Sequence, residues 1–148
     1  MNIKFKIIPK EKLLEIIPLL QQLNTLTPTE LLKKRVLQMG ELPNYECVGA
    51  YDEEKLIGIS GLWYSVRHYI GNSVEPDHVI IDKNYRGKKI GKLLFDWIEK
   101  HTKSKGYEAI ELNSYAANRK SHKFYHKENF EIYGFHYVKV TRDDKEFY

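Results

Sequence analysis

Ile3, Phe5 and Ile7 alternate with Asn2, Lys4 and Lys6, the period-two pattern of a strand with one buried face. Over residues 10–23, Leu13, Ile16, Ile17, Leu20 and Leu23 recur at helical spacing, and Pro18 should kink that helix or begin its second piece. A second helix is expected with Thr27 as N-cap, Pro28 at the first position, Glu30 closing a capping box and Gly40 at the end. Two strands read as 45–51 and 55–66, joined by Asp52-Glu53-Glu54. Gly58 and Gly61 inside the second point to a bulge or a close approach. After a loop around Gly71-Asn72-Ser73 comes a short strand over 77–81, then an amphipathic helix. In that helix Ile90, Leu93, Leu94, Trp97, Ile98 and His101 share one face, and Lys92, Asp96, Glu99, Lys100 and Lys103 take the other. Gly106 ends it. A strand over 108–114, a short helix over 119–128 stopping at Asn129, a β-prone run over 130–141 and a loose tail over 142–148 complete the chain. The order βααββ-β-α-β-α-β belongs to a mixed α/β fold, and with no linker or repeat the expectation is a single domain over 1–148.

Composition narrows this little. A chain of 148 residues, 42% hydrophobic and 13% aromatic, can bury a core and is not a disordered one. A net charge of +4 suits an anionic partner without naming it. Cys47 is the only cysteine, which excludes an internal disulfide and a cysteine-based metal cluster and suits a reducing, cytoplasmic compartment. No apolar run reaches membrane-spanning length, so no membrane partner is expected. The scattered His and acidic residues show no ligand spacing, and no metal site is expected.

The chemistry concentrates where the 77–81 strand turns into the amphipathic helix. A helix start leaves backbone N–H groups unpaired at the positive end of the helix dipole, Gly87 and Gly91 let a ligand approach, and Arg86, Lys88, Lys89 and Lys92 add charge. Two readings fit this turn by itself: a pyrophosphate cradle, or an ordinary solvated strand-to-helix connection. It is neither a Walker A loop nor a dinucleotide fingerprint, because the glycine spacing matches neither.

Arg86-Gly87-Lys88-Lys89-Ile90-Gly91 resembles motif A of the GNAT superfamily of N-acetyltransferases, Q/R-x-x-G-x-G/A, except that Lys89 stands where the family has glycine. Asn118-Arg119-Lys120-Ser121-His122-Lys123-Phe124-Tyr125 and the following residues to Phe130 resemble motif B, N-x-x-A-x-x-F-Y-x-x-x-G-F, with Ser121 for alanine and Asn129 for glycine. The resemblance covers about residues 77–130, and element order extends it to the first half. It implies a central mixed, mostly antiparallel sheet of six to seven strands with about four helices, acetyl-CoA as acyl donor and an amine acceptor. It further implies that Val79, Ile80 and Ile81 meet the pantetheine arm. The turn residues 86–92 (Ile90 included) would hold the phosphates, with Asn118, Ser121 and Phe124 also on the donor side, and Tyr125 would protonate the departing thiolate. A half-buried helix tyrosine is the plain alternative for Tyr125.

A base is also needed for the amine. His78 is the candidate, with Asp77 and Glu75 as alternatives and a surface histidine as the bland reading. Strand alternation implies that Asp77 and His78 cannot both face the acceptor. The stretch around Glu111-Leu112 and Ser121 to Tyr125 also resembles the aminoalkylphosphonate N-acetyltransferase subgroup, and two readings stand for Arg67 and His68: contact with an anionic acceptor, or a plain surface position. A homodimer is common for the fold. Two other readings compete: a non-catalytic acetyl-CoA-binding or interaction module of the same fold, and a basic nucleic-acid-binding domain, against which the interspersed acids and the lack of a recognition motif argue.

Overall fold

The computed structural model describes residues 1–147. Five strands, β1 (Ile3–Ile7), β2 (Tyr45–Asp52), β3 (Lys55–Arg67), β4 (Gly71–Ile81) and β5 (Ala109–Ile110), make one sheet in chain order. The first four pair antiparallel with their neighbours, and β5 pairs parallel with β4. Four α-helices accompany them among the described residues: α1 (Ile17–Leu23), α2 (Thr29–Glu41), α3 (Ile90–Ser104) and α4 (Arg119–Lys127). Backbone contacts divide the chain into one unit over Met1–Glu111 and a second from Leu112 onward.

The architecture is the mixed α/β one expected, with five strands rather than six or seven. The strand expected over 108–114 shrinks to Ala109–Ile110, and 130–141 forms no strand. Aromatic and β-branched residues only bias a segment toward extended structure; a strand also needs a partner ladder and a buried face. Neither is present here: Ile132, Tyr133, Phe135 and Tyr137 are all exposed. Of the tail expected over 142–148, Tyr148 lies outside the described residues.

Local signals place most of the remaining boundaries. Pro18 stands in the first turn of α1, where its missing N–H costs nothing, and the preceding Lys10–Ile16 winds as a 3₁₀ helix. α2 starts one residue later than expected: Pro28 is the cap residue and no side chain caps the helix, so the Thr27 capping box does not form. α2 runs one residue past Gly40, where the Leu13 Cδ1 atom lies 2.5 Å from the place a Cβ would take. The supposed loop at Gly71-Asn72-Ser73 is the start of β4, which pairs with β3 from Arg67–Gly71 onward.

The sheet of the first unit is covered on both faces. On one, Leu13, Ile16, Ile17, Leu20, Leu32 and Val36 pack against Tyr45, Cys47, Ile59 and Ile80. On the other, Leu94 and Ile98 of α3 meet Val48, Leu62 and Val74. The last turn of α3 is pinned by Glu46, whose carboxylate accepts from the Tyr64 hydroxyl at 2.6 Å and lies 3.4 Å from both His101 Nε2 and Lys105 Nζ.

Candidate active site

The register of β4 against β3 slips at one place. Ile59 pairs with Ile80 and Gly61 with Asp77, so His78 and Val79 together oppose Ser60. This is a bulge, and it cancels the alternation of side chains at that point. Asp77 and His78 consequently share a face, contrary to the expectation from a regular strand. The Trp63 indole N–H donates to Asp77 Oδ2 at 3.1 Å, and the Tyr45 hydroxyl is hydrogen-bonded to His78 Nε2 at 2.8 Å. Tyr45 and Trp63 lie directly opposite each other on β2 and β3, with ring centroids 4.6 Å apart.

The bulge needs a special backbone and a vacancy. His78 has φ +39°, left-handed space that a bulky residue enters only under constraint. Its ring occupies the spot where a side chain on Gly61 would begin. Asp77 Oδ1 accepts the His78 backbone N–H at 2.7 Å and steadies the turn. His78 is thus not a surface histidine. Its Nδ1 is buried without a hydrogen-bond partner, and burial pushes its pKa below the ordinary value, against the opposing pull of Asp77 and of its own carbonyl.

Past the bulge, β4 runs with one edge open. Its ladder to β5 consists of Ser73–Ala109 and Val74–Ile110, and among the described residues no pair joins Val79, Ile80 or Ile81 to β5. The strand ends at Asp82, whose carboxylate accepts from Asn84 N–H at 2.9 Å and from the Gln22 side chain at 3.0 Å. Those two hydrogen bonds, the Asn84 one first, hold its pKa below the usual carboxylate value. Gln22 also accepts from Lys83 N–H, so the end of α1 is tied to the turn.

The turn itself has the backbone that the sequence leaves in question. Lys89, standing where the resembled motif has glycine, adopts φ +62° and ψ +10°, a left-handed conformation that glycine would take freely. Gly87 has φ +79° with open space where a Cβ would project. No side chain caps α3, so its first N–H groups face outward as the dipole's positive end. Arg86 Nε donates to the Ile81 carbonyl at 3.0 Å, Lys92 pairs with Asp96 at 2.8 Å, and Lys88 Nζ sits 5.0 Å over the Tyr85 ring. Ile90 is buried and fixes the helix start to the sheet.

In the second unit, Asn118 is the N-cap of α4, its Oδ1 accepting from Ser121 N–H at 3.2 Å. Tyr125 packs edge-on between Phe124 (5.5 Å) and Phe130 (5.8 Å), and burial raises its pKa, which keeps the phenol protonated. Asn129, the second replacement of a family glycine, also has positive φ, +63°. In both motifs the substituted residue has a positive φ, the backbone that glycine adopts most freely.

Arg67, half-exposed, is paired with two acids. Its Nε donates to Glu111 at 3.0 Å, and Glu75 lies 3.6 Å away. Sequence reasoning missed Tyr45, Trp63 and Gln22, which belong to no motif. The one available signal was Gly61, a glycine in a strand that marks the slot His78 fills.

Residues 15–130 match the family described as "Acetyltransferase (GNAT) family". No curated protein sequence matches the chain. Among solved structures, a possible acetyltransferase from Clostridium difficile 630 is similar at TM-score 0.80 and 18% identity, over 96% of this chain and 100% of that one. A ribosomal-protein-alanine N-acetyltransferase from Brucella melitensis biovar Abortus 2308 has TM-score 0.80 and 18% identity over 95% and 100%. Glucosamine-6-phosphate N-acetyltransferase from Arabidopsis thaliana has TM-score 0.72 and 20% identity over 96% and 100%. At such identities the likeness is one of fold.

Proposed function

The chain belongs to the acetyltransferase (GNAT) family, and from that premise we propose that it is an N-acetyltransferase. It would move the acetyl group of acetyl-CoA to a primary amine of a small molecule or a peptide by direct attack in a ternary complex. The observation that carries this reading is the open edge of β4 at Val79–Ile81 leading into an uncapped α3 through a turn with positive φ at Gly87 and Lys89. The open space beside Gly87 and the cations of the turn suit a phosphate-bearing donor.

Each residue then has a chemical task. The backbone groups of residues 79–81 that point to the edge away from β3 are of the kind that hold pantetheine and polarise a thioester carbonyl, and the start of α3 with Arg86, Lys88, Lys89 and Lys92 would meet phosphate. By the motif B resemblance, Asn118, Ser121 and Phe124 are assigned to donor binding. His78, its pKa held below the ordinary value by burial, takes the proton from the acceptor ammonium; the amine attacks, the C–N bond forms, the nitrogen gives up its second proton to solvent and the C–S bond breaks. Tyr125, kept protonated, donates its phenolic proton to the thiolate. Asp77, Glu75 and Trp63 on the His78 side of the sheet suit a cationic acceptor. The solved neighbours named above for ribosomal-protein alanine and glucosamine 6-phosphate both act on amines. A fully buried Cys47 thiol agrees with a reducing, cytoplasmic setting, and no helix among the described residues is long and apolar enough to cross a membrane.

An amine-library assay that follows free thiol release from acetyl-CoA tests this, with calorimetry of acetyl-CoA binding alongside. Binding that weakens with salt and thiol release with at least one amine are expected. A folded protein that does not bind acetyl-CoA at low salt refutes the reading; binding without turnover on any amine returns the chain to a non-catalytic module.

A further inference from the structure

Gln22 belongs to neither motif, yet both ends of its side chain are engaged by the start of the β4–α3 turn. Its Nε2 donates to Asp82 Oδ2 at 3.0 Å, and its Oε1 accepts from the Lys83 backbone N–H at 3.1 Å. A backbone N–H can only donate and an ionised carboxylate can only accept, so these two partners demand opposite ends of one side chain. A primary amide meets both demands at once; an ionised carboxylate, an ammonium or an aliphatic side chain meets at most one. The base of the side chain is firm, because Gln22 stands near the end of α1, whose Leu19 and Leu20 are buried. At the other end, Asp82 organises the turn. Its N–H donates to the Ile57 carbonyl at 2.8 Å, its Oδ1 accepts from Asn84 N–H, and its carbonyl accepts from Tyr85 N–H at 2.8 Å. Arg86 Nε then returns to the Ile81 carbonyl, and Gly87 and Lys89 follow with φ +79° and +62°. Asp82 is also the one acid in residues 82–92, a stretch that carries Lys83, Arg86, Lys88, Lys89 and Lys92. A loose carboxylate there would compete with phosphate for those cations; Asn84 and Gln22 each hold one of its oxygens.

We propose that Gln22 is a positioning residue for the acyl donor: by joining Asp82 Oδ2 and the Lys83 N–H to α1, it sets the entrance of the β4–α3 turn and keeps the Asp82 carboxylate from its cations. The proposal rests on the reading of that turn as the phosphate site of acetyl-CoA. Gln22 touches no reacting atom in this role, so its loss weakens donor binding and leaves the chemical step nearly unchanged. The chemistry of the amide supplies a diagnostic variant. Gln22→Glu keeps an acceptor for Lys83 N–H but sets a second carboxyl against Asp82. When both are ionised they repel. With one proton between them, the new carboxyl donates to Asp82 and accepts from Lys83, which is the pattern of the amide. The charged groups that face this pair are Lys83 in the turn and Lys55 at the start of β3, and α1 itself carries no charged side chain.

The test is acetyl-CoA calorimetry on the full chain, for wild type, Gln22→Leu and Gln22→Glu, between about pH 5 and about pH 8. Each variant is compared with wild type at the same pH, which cancels the titration of the phosphates. At the upper end both variants should bind about tenfold more weakly than wild type, as befits a lost hydrogen bond to a charged group. As pH falls, the Gln22→Glu deficit should close to within about threefold while the Gln22→Leu deficit stays. With the amine found by the library assay, the KM for acetyl-CoA should rise as Kd does, whereas kcat and the amine KM change less than about threefold. Gln22→Leu binding within about twofold of wild type overturns the proposal, and so does a Gln22→Glu deficit that ignores pH. The latter decides alone if Gln22→Leu does not fold. Amide NMR signals of residues 83–89, recorded without ligand, separate the two readings. If wild type does not bind acetyl-CoA, the donor reading falls and the positioning of a donor falls with it. Signals displaced in both variants at high pH and restored in Gln22→Glu at low pH would still show that Gln22 sets the turn, and unmoved signals would remove that role as well.

Discussion

Lys89 sits at φ +62°, and replacing it with glycine should stabilise the protein. An L side chain in left-handed space costs roughly 1–2 kcal/mol. Glycine removes that strain but returns about 0.5–1 kcal/mol through the greater freedom of the unfolded chain. A lysine beside the positive end of the α3 dipole is also unfavourable, and because Lys89 is exposed its removal adds only about 0.3 kcal/mol. The net gain for Lys89→Gly is about 1 kcal/mol, which for a chain of this length raises Tm by roughly 2–4 °C. Lys89→Ala is the control that separates the two contributions. It loses the same charge but keeps a Cβ in left-handed space, so its Tm should stay within about 1 °C of wild type. Thermal melts at matched ionic strength, backed by urea titrations with unchanged m-values, measure both. If Lys89→Ala is as stable as Lys89→Gly, backbone strain is not what distinguishes this turn from its glycine form.

Three further outcomes follow from the geometry. Gly61→Ala places a Cβ on the His78 ring, so the ring must leave its slot; a loss of about 1–3 kcal/mol in urea unfolding is expected, and unchanged stability with an undisturbed His78 NMR signal would contradict the slot. Asp82 has a folded pKa below its unfolded value, so its stabilisation is complete above the ordinary carboxylate value of 3.8 and is lost as pH falls through the folded pKa. The Tm gap between wild type and Asp82→Asn should therefore be widest near neutrality and close in acid, whereas a gap independent of pH rules this linkage out. Tyr125→Phe should lower turnover by about 10²–10⁴-fold while acetyl-CoA affinity changes less than about tenfold; equal turnover removes Tyr125 as the acid.

What the sequence determined by itself is what short-range rules govern. The period of Ile90, Leu94 and Ile98, the placement of Pro18 and the helix stop at Gly106 depend on neighbours within a few residues, and those elements stand where they were expected. The two motifs were legible for the same reason, because each is a local strand–turn–helix or cap pattern. Even their two lost glycines follow local physics, since Lys89 and Asn129 keep the left-handed backbone. Tertiary structure decided the rest. Whether Asp77 and His78 share a face depends on the slip of β4 against β3, and that slip needs the space Gly61 leaves on a different strand. The partners that hold His78 and Asp77, namely Tyr45 and Trp63, come from β2 and β3 and carry no spacing signature. The 130–141 run shows the opposite failure: its β-prone residues were read as a strand, but a strand exists only where another strand pairs with it, and propensity along one segment says nothing about that partner.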